Sequence, residues 1–313
     1  MPRPAAPDEE LKVILREYIK TAKGEINMTR LRHCLDSVPA DTVTTLLAGI
    51  EDNEGAETIG LHHASARGHA ETVKCMLDGL APNQRMHLLR IRNVEGNCSL
   101  HFAAIKGITS IVQYFLDSVK TEQRFSLIKT VNMFGSTALH CAASKGNAET
   151  VKIFLDSVTP DQRYALVKIQ DTDNGTAVHR AAVKGYTEVI RSILDSLTPD
   201  QKFSLLKLQT IYGGTALYRA AARGHTETIK CMLESIPAKE RFNILKITNT
   251  SGSTALHCAA LKGRTEAIKC MMDMVLPEHR FDLLKIQDND SSTAIHYAAM
   301  GGGDHIDGDL MED

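Results

Sequence analysis

Seven side chains that could do chemistry stand in strict register: His62, His101, His140, His179, Tyr218, His257 and His296, each 39 residues from the next in a chain of 313. Imidazoles in such number invite two readings, a metal site or a proton-transfer site shared with the Ser and Asp residues that recur near them. The spacing argues against both. Zinc ligands must converge to about 2 Å from one ion, whereas equivalent residues of stacked repeats lie roughly 10 Å apart, one helix-packing distance. A triad would need one repeat to differ from the others, and none is singled out. The expectation is a structural column, with no catalytic residue, no metal and no cofactor.

Other columns follow the same period. Cys75, Cys231 and Cys270 share one phase and Cys141 and Cys258 another, as small buried apolar residues would. Cys98 stands where other repeats carry Thr and is read as structural too. Arg67, Lys106, Lys145, Lys184, Arg223 and Lys262 each precede a glycine. They either form a stripe along a concave face that attracts an acidic partner or stabilise helix C-termini. The second reading is favoured, because the Asp78, Asp117, Asp156, Asp195, Glu234 and Asp273 column balances the charge. Arg85, Arg124, Arg163, Arg241 and Arg280 are expected on a solvated or salt-bridged face.

The elements that position these columns are helices. In residues 135–173, Ala138, Ala142 and Ala143 lie in a short alanine-rich helix ended by Gly146, as a C-terminal glycine would end it. In AETVKIFLDSV, Val151, Phe154, Leu155 and Val158 fall at i, i+3, i+4 and i+7 and predict a second helix with a buried stripe. TPDQRYALVKI supplies Thr159 as an N-cap, Pro160 at the first helical position and Asp161 to complement the helix dipole, predicting a third helix over 160–168 packed down by Tyr164 and Val167. Gly96, Gly135, Gly213 and Gly252 recur in turns between repeats. At the N-terminus Leu11, Ile14, Leu15, Tyr18 and Ile19 define an amphipathic helix over 8–22.

Composition narrows the classes further. With 43% hydrophobic residues and a net charge of -2, the chain can bury a core, and its bulk charge does not call for nucleic acid or an anionic membrane. No apolar run reaches the 18 or so residues that span a bilayer, and MPRPAAPDEE does not read as a signal peptide. Seven Cys without a CxxC pair fit a reducing compartment. A cytoplasmic location is expected, with the nucleus as the other choice.

The segment GSTALHCAASKG at 135–146 resembles the ankyrin repeat, whose signature is T-P-L-H-x-A at a period of about 33 residues. It departs from the family in two ways: Ala replaces the Pro after Thr, and the unit is longer by about six residues, read as the extra short helix. The resemblance implies an all-α repeat solenoid with short hairpin loops and an inserted helix per repeat. It also implies that Thr137 and His140 bond one another and the adjacent loop, a linkage that Tyr218 cannot reproduce, which makes that repeat a weak point. The expected organisation is a flexible N-terminus (1–7), a degenerate capping repeat (8–57), six full repeats with a partial last one (58–301) and a disordered acidic tail (302–313).

In the ankyrin family the variable positions line the partner surface. Here those positions are the residues after the anchors, including Phe102, Arg180 and Arg219, and the hairpin tips, including Phe134 and Tyr212. Aromatic and Arg side chains are the usual interface anchors. The expected function is a non-enzymatic scaffold, a monomer that binds a protein partner through the concave face and hairpin tips of the repeat stack, using these five residues with Lys145 and Lys184. No small-molecule substrate, no nucleic acid and no membrane insertion are expected. The alternative is a targeting or regulatory segment of a larger enzyme or channel whose other domains lie outside this chain.

Overall fold

A computed structural model describes residues 6–20, 27–39, 42–43, 46 and 60–300. The expected tail at 302–313, and most of the expected N-terminus (1–7) and of the capping repeat beyond residue 39, lie outside them. The chain divides into two compact units, 1–159 and 160–313. Among the described residues the regular structure is helical. Extended pairing is limited to isolated bridges that close hairpins, Val131 with Thr137, Gln209 with Thr215 and Thr248 with Thr254.

One repeat of the second unit shows how the sequence builds the elements. The anchor helix Ala177–Lys184 starts where Thr176 and His179 form a reciprocal cap and stops at Gly185, which takes φ 73°. The second helix, Thr187–Asp195, buries Val189, Ile190, Ile193 and Leu194. The inserted helix, Pro199–Leu206, opens on Thr198, whose hydroxyl accepts from the Gln201 amide at 3.4 Å. Within this unit the anchor helices Ala177–Lys184, Ala216–Arg223, Ala255–Leu261 and Ala294–Ala299 pack in succession. Their alanines, including the fully buried Ala181, Ala182, Ala220 and Ala221, permit the close approach.

The first unit repeats the plan. Anchor helices Gly60–Arg67, Ser99–Lys106 and Ala138–Ser144 stack in order, as do second helices Ala70–Asp78, Thr109–Asp117 and Ala148–Asp156. Helix Pro7–Lys20 packs on Gly60–Arg67, and Met28–Ser37 packs on Ala70–Asp78. Leu11, Ile14, Leu15 and Tyr18 supply the buried stripe. Tyr18 also bonds His69 Nδ1 at 2.8 Å, and Arg67 lies over its ring.

The inserted helix is present where expected, at Pro160–Val167, but two readings of it are corrected. Its aromatic does not hold it down. Tyr164 is half-buried, and the fully buried side chains are Leu166 and Val167. An eight-residue helix has room for one buried edge, and the aliphatic pair before its C-terminus takes it. The aromatic instead carries a lysine four residues on: Phe125, Tyr164, Phe203, Phe242 and Phe281 have Lys129, Lys168, Lys207, Lys246 and Lys285 over their rings at 4.1 to 5.3 Å.

The arginine column is likewise more than a solvated or salt-bridged face. Arg124 donates to the Leu116 carbonyl at 2.9 Å, Arg241 to Leu233 at 2.9 Å and Arg85 to Leu80 at 2.8 Å. Each guanidinium thus satisfies carbonyls left open where the second helix ends. Arg241 also reaches Met274 O at 3.3 Å in the next repeat.

At five of the described hairpins the tight turn between repeats is held by an Asx side chain, and at the other Thr210 takes that place with its hydroxyl unbonded. Asn93, Asn132, Asp171, Asn249 and Asp288 each accept from the amides two and four residues on, at 2.8 to 3.2 Å. Successive hairpins of one unit are tied through backbone: Met133 N to Glu95 O, Ile211 N to Asp173 O, Thr250 N to Tyr212 O and Asn289 N to Ser251 O, at 2.9 to 3.0 Å. Gly213 sits at φ +75°, and a Cβ there would meet Thr250 N at 2.7 Å. Gly213→Ala should therefore cost about 2–3 kcal/mol, strain plus displacement of the neighbouring hairpin. An unchanged urea midpoint would show that the hairpins are not packed this closely.

Candidate functional site

At His101, His179 and His257 the fold takes up both nitrogens of the anchor imidazole. At His179, Nδ1 accepts from Thr176 N at 3.2 Å and lies 2.9 Å from Thr176 Oγ1, so Nε2 carries the proton and donates to Leu208 O at 3.1 Å. His257 repeats this with Thr254 and with Ser292 O at 3.2 Å. His101 does so with Cys98 and with Ser136 O at 3.1 Å. Burial lowers the imidazole pKa to about 4 at His62, His101 and His179 and lowers that of His257. At His101, His179 and His257 both ring nitrogens are engaged and the neutral form is held, so these rings are not offered to a metal or a proton shuttle. His62, by contrast, bonds Ile91 O through Nε2 at 3.0 Å and leaves Nδ1 buried without a hydrogen bond.

Cys98 Sγ lies 3.1 Å from His101 Nδ1, a distance that elsewhere would suggest an activated thiol. Burial pushes this thiol up and its imidazole down, the reverse of what a thiolate–imidazolium pair needs. Cys98 is the N-cap of Ser99–Lys106 and fills the place of the threonine. Burial also raises Cys141 to about 12. At Tyr218 the column changes chemistry. The phenol reaches the next hairpin and accepts from Asn249 Nδ2 at 3.2 Å. Among the described residues no group of three His, Cys, Asp or Glu converges on a metal-sized site, and no helix is long and apolar enough to cross a membrane.

The residues expected to meet a partner fall into three groups. Phe134 and Tyr212 stand at hairpin tips, 53% and 39% exposed. Phe102, Arg180 and Arg219 lie half-buried on the first turn of their anchor helices. Phe102 packs against the His62 ring at 5.3 Å, and Arg180 is held by Asp171 and Asp173 at 2.7 Å each. Lys145 and Lys184 are exposed at the far ends of anchor helices, roughly 10 Å along the axis from the hairpin.

The sequence reading passed over the residues one position before the tips. Val94 is 72% exposed, Met133 61% and Ile211 46%. The Met133 N to Glu95 O bond brings the first two hairpins side by side, so Val94, Met133 and Phe134 belong to one apolar edge of the first unit. The available signal was an apolar residue inside a turn otherwise made of Asn, Glu, Gly and Ser.

A family model described as ankyrin repeats (3 copies) matches residues 34–127, 119–203, 199–273 and 240–307, most of the chain. The chain belongs to the ankyrin repeat family. Among solved structures, this ankyrin repeat protein is similar to the human ASB11 ankyrin repeat domain, with TM-score 0.55, 20% identity and coverage of 76% of this chain and 90% of that one. It is also similar to the ankyrin repeat domain of Bcl-3, described as a unique member of the IkappaB protein family, with TM-score 0.58, 19% identity and coverage of 76% and 92%. No curated protein gives a significant sequence match. Ankyrin repeat domains are generally protein-interaction modules and typically non-catalytic.

Proposed function

We propose that the protein is a non-enzymatic interaction scaffold that binds a protein partner through its hairpin tips, with the first turns of the anchor helices beside them. The observation that carries this is the exposure of large apolar side chains on turns whose backbone is already satisfied: Val94, Met133 and Phe134 in the first unit, Ile211 and Tyr212 in the second. The Phe134 hairpin closes through the Asn132 side chain and Gly135, and the Tyr212 hairpin through backbone bonds between Thr210 and both Gly213 and Gly214, so neither turn requires an aromatic at the tip. Exposed apolar patches of this kind mark interaction sites. Phe102 in the first unit and Arg180 and Arg219 in the second lie beside the tips of their own units, and Lys145 and Lys184 steer an acidic partner. Seven free thiols suit a reducing compartment such as the cytoplasm or nucleus.

Phe134→Ser and Tyr212→Ser, made singly and together, test the reading by affinity capture from extract, with bound proteins compared against wild type. Interface anchors cost about 2 kcal/mol or more when truncated, so the double variant should lose more than about tenfold in affinity for the captured partner. Its far-ultraviolet circular dichroism and melting should match wild type. Retained capture by the double variant, with loss on Lys145→Gln and Lys184→Gln, would move the interface onto the helices and overturn the choice of the tips.

A further inference from the structure

The position before each hairpin has a structural task in the second unit. Gln170 Nε2 donates to Asn174 O at 2.6 Å, Gln209 Nε2 to Thr248 O at 2.8 Å and Gln287 Nε2 to Ser291 O at 3.1 Å. Each glutamine staples backbone of its own hairpin or the next. In the first unit the same position is Arg92 and, one period on, Val131, and neither makes such a side-chain bond. Arg92 is exposed and helps line a cavity of about 430 Å³ with Arg90, Ser126, Lys129, Thr130 and Val131. Arg90 reaches across to Ser126 Oγ at 2.5 Å, joining the ends of two successive inserted helices.

The lining holds three cations and no acid. Among the described residues none of the three has a carboxylate within ion-pair distance, although exposed lysines on the second helices of the same unit do, as at Lys74 with Glu71 and Lys152 with Glu149. A lone carboxylate ligand would leave most of this charge uncompensated. A phosphate monoester carries close to two negative charges and three acceptor oxygens, and two guanidinium forks, an ammonium and two hydroxyls suit that geometry. The volume falls within the usual range of small-ligand sites, about 300–1,000 Å³. The second cation is also local. Val131 in the first unit and Gln170, Gln209, Thr248 and Gln287 in the second stand at the phase of Arg92, so the feature is a discrete pocket rather than a track for a polyanion.

We propose that the pocket of Arg90, Arg92 and Lys129 is a binding site for a phosphate monoester, presented by a phosphorylated side chain or as a small free phosphate. This holds whether or not the hairpin tips are the partner surface. The test is fluorescence polarisation on the full chain with a fluorescein-labelled Gly-Ser heptapeptide bearing one phosphoserine, beside its unphosphorylated form. Only the phosphorylated peptide should bind, and inorganic phosphate should displace it. Arg92→Gln installs the residue that the fold already uses at this phase. It should melt as wild type and weaken binding by about tenfold or more, the usual effect of losing one charge-assisted hydrogen bond. Lys129→Gln should do the same, whereas Lys168→Gln, in the second unit, should change nothing. Inorganic phosphate binding as tightly as the peptide would support the site and identify a free phosphate as its ligand. Equal binding of the two peptides, or full phosphopeptide affinity in both Arg92→Gln and Lys129→Gln, would overturn the proposal. So would binding of neither the phosphopeptide nor inorganic phosphate.

Discussion

Lowering the pH from 7 to 5 should destabilise the protein by about 6 kcal/mol, seen as a fall of about 10 °C or more in the melting midpoint. The cause is the anchor column. His62, His101 and His179 titrate near 4 in the folded chain and near 6.5 once unfolded. Between those values the unfolded chain binds the extra proton, so stability rises with pH across the window. The contribution is complete above about 6.5 and is lost as pH falls toward 4. At pH 5 each ring accounts for roughly 2 kcal/mol, and the lowered His257 adds in the same direction. Total stabilities are commonly about 5–15 kcal/mol, so partial unfolding near pH 5 is expected. Ring-proton titration by nuclear magnetic resonance checks the cause, and midpoints near 6.5 for these rings, or a melting curve flat from pH 7 to 5, would contradict it.

Phe154→Ala should cost about 3–5 kcal/mol, because the ring is fully buried beside Val151 and Leu155 on the second helix. Tyr164→Ala, ten residues on, removes a ring of similar size at about 1 kcal/mol, because that ring is half-buried under Lys168. Chemical denaturation of the two variants side by side distinguishes the layers. Equal losses would mean that the inserted helix is core rather than an outer flange.

The contrast between those rings shows where sequence patterning stops. Helices whose apolar residues recur at three and four, such as Ala148–Asp156, were legible with their buried faces, and the family resemblance made the bond between Thr137 and His140 legible too. The inserted helix was legible as a helix from Thr-Pro-Asp, but eight residues give too few turns to choose between an aromatic edge and an aliphatic one. The task of Arg124 was not legible, because the carbonyl it satisfies lies eight residues back, at the end of a different helix. A charge column read along the chain looks solvated until the turn between helices folds it back. Of the candidate surface, Phe134 and Tyr212 were legible as ring side chains in turns, whereas Arg180 could not be seen to be held by two aspartates of its own hairpin.

The backbone ties between hairpins have a consequence for how such a chain can change length. Thr250 N reaches Tyr212 O and Asn289 N reaches Ser251 O, each donor 38 residues beyond its acceptor. If residues 214–252 were excised, Gly213 would be followed by Ser253, and Asn289 would find the Tyr212 carbonyl where Ser251 had been. The bonding pattern is indifferent to the cut, provided whole periods are removed. Chain length is thus a dial that unequal recombination can turn in steps of 39 residues, from any starting phase, while a step of any other size would misalign every hairpin downstream.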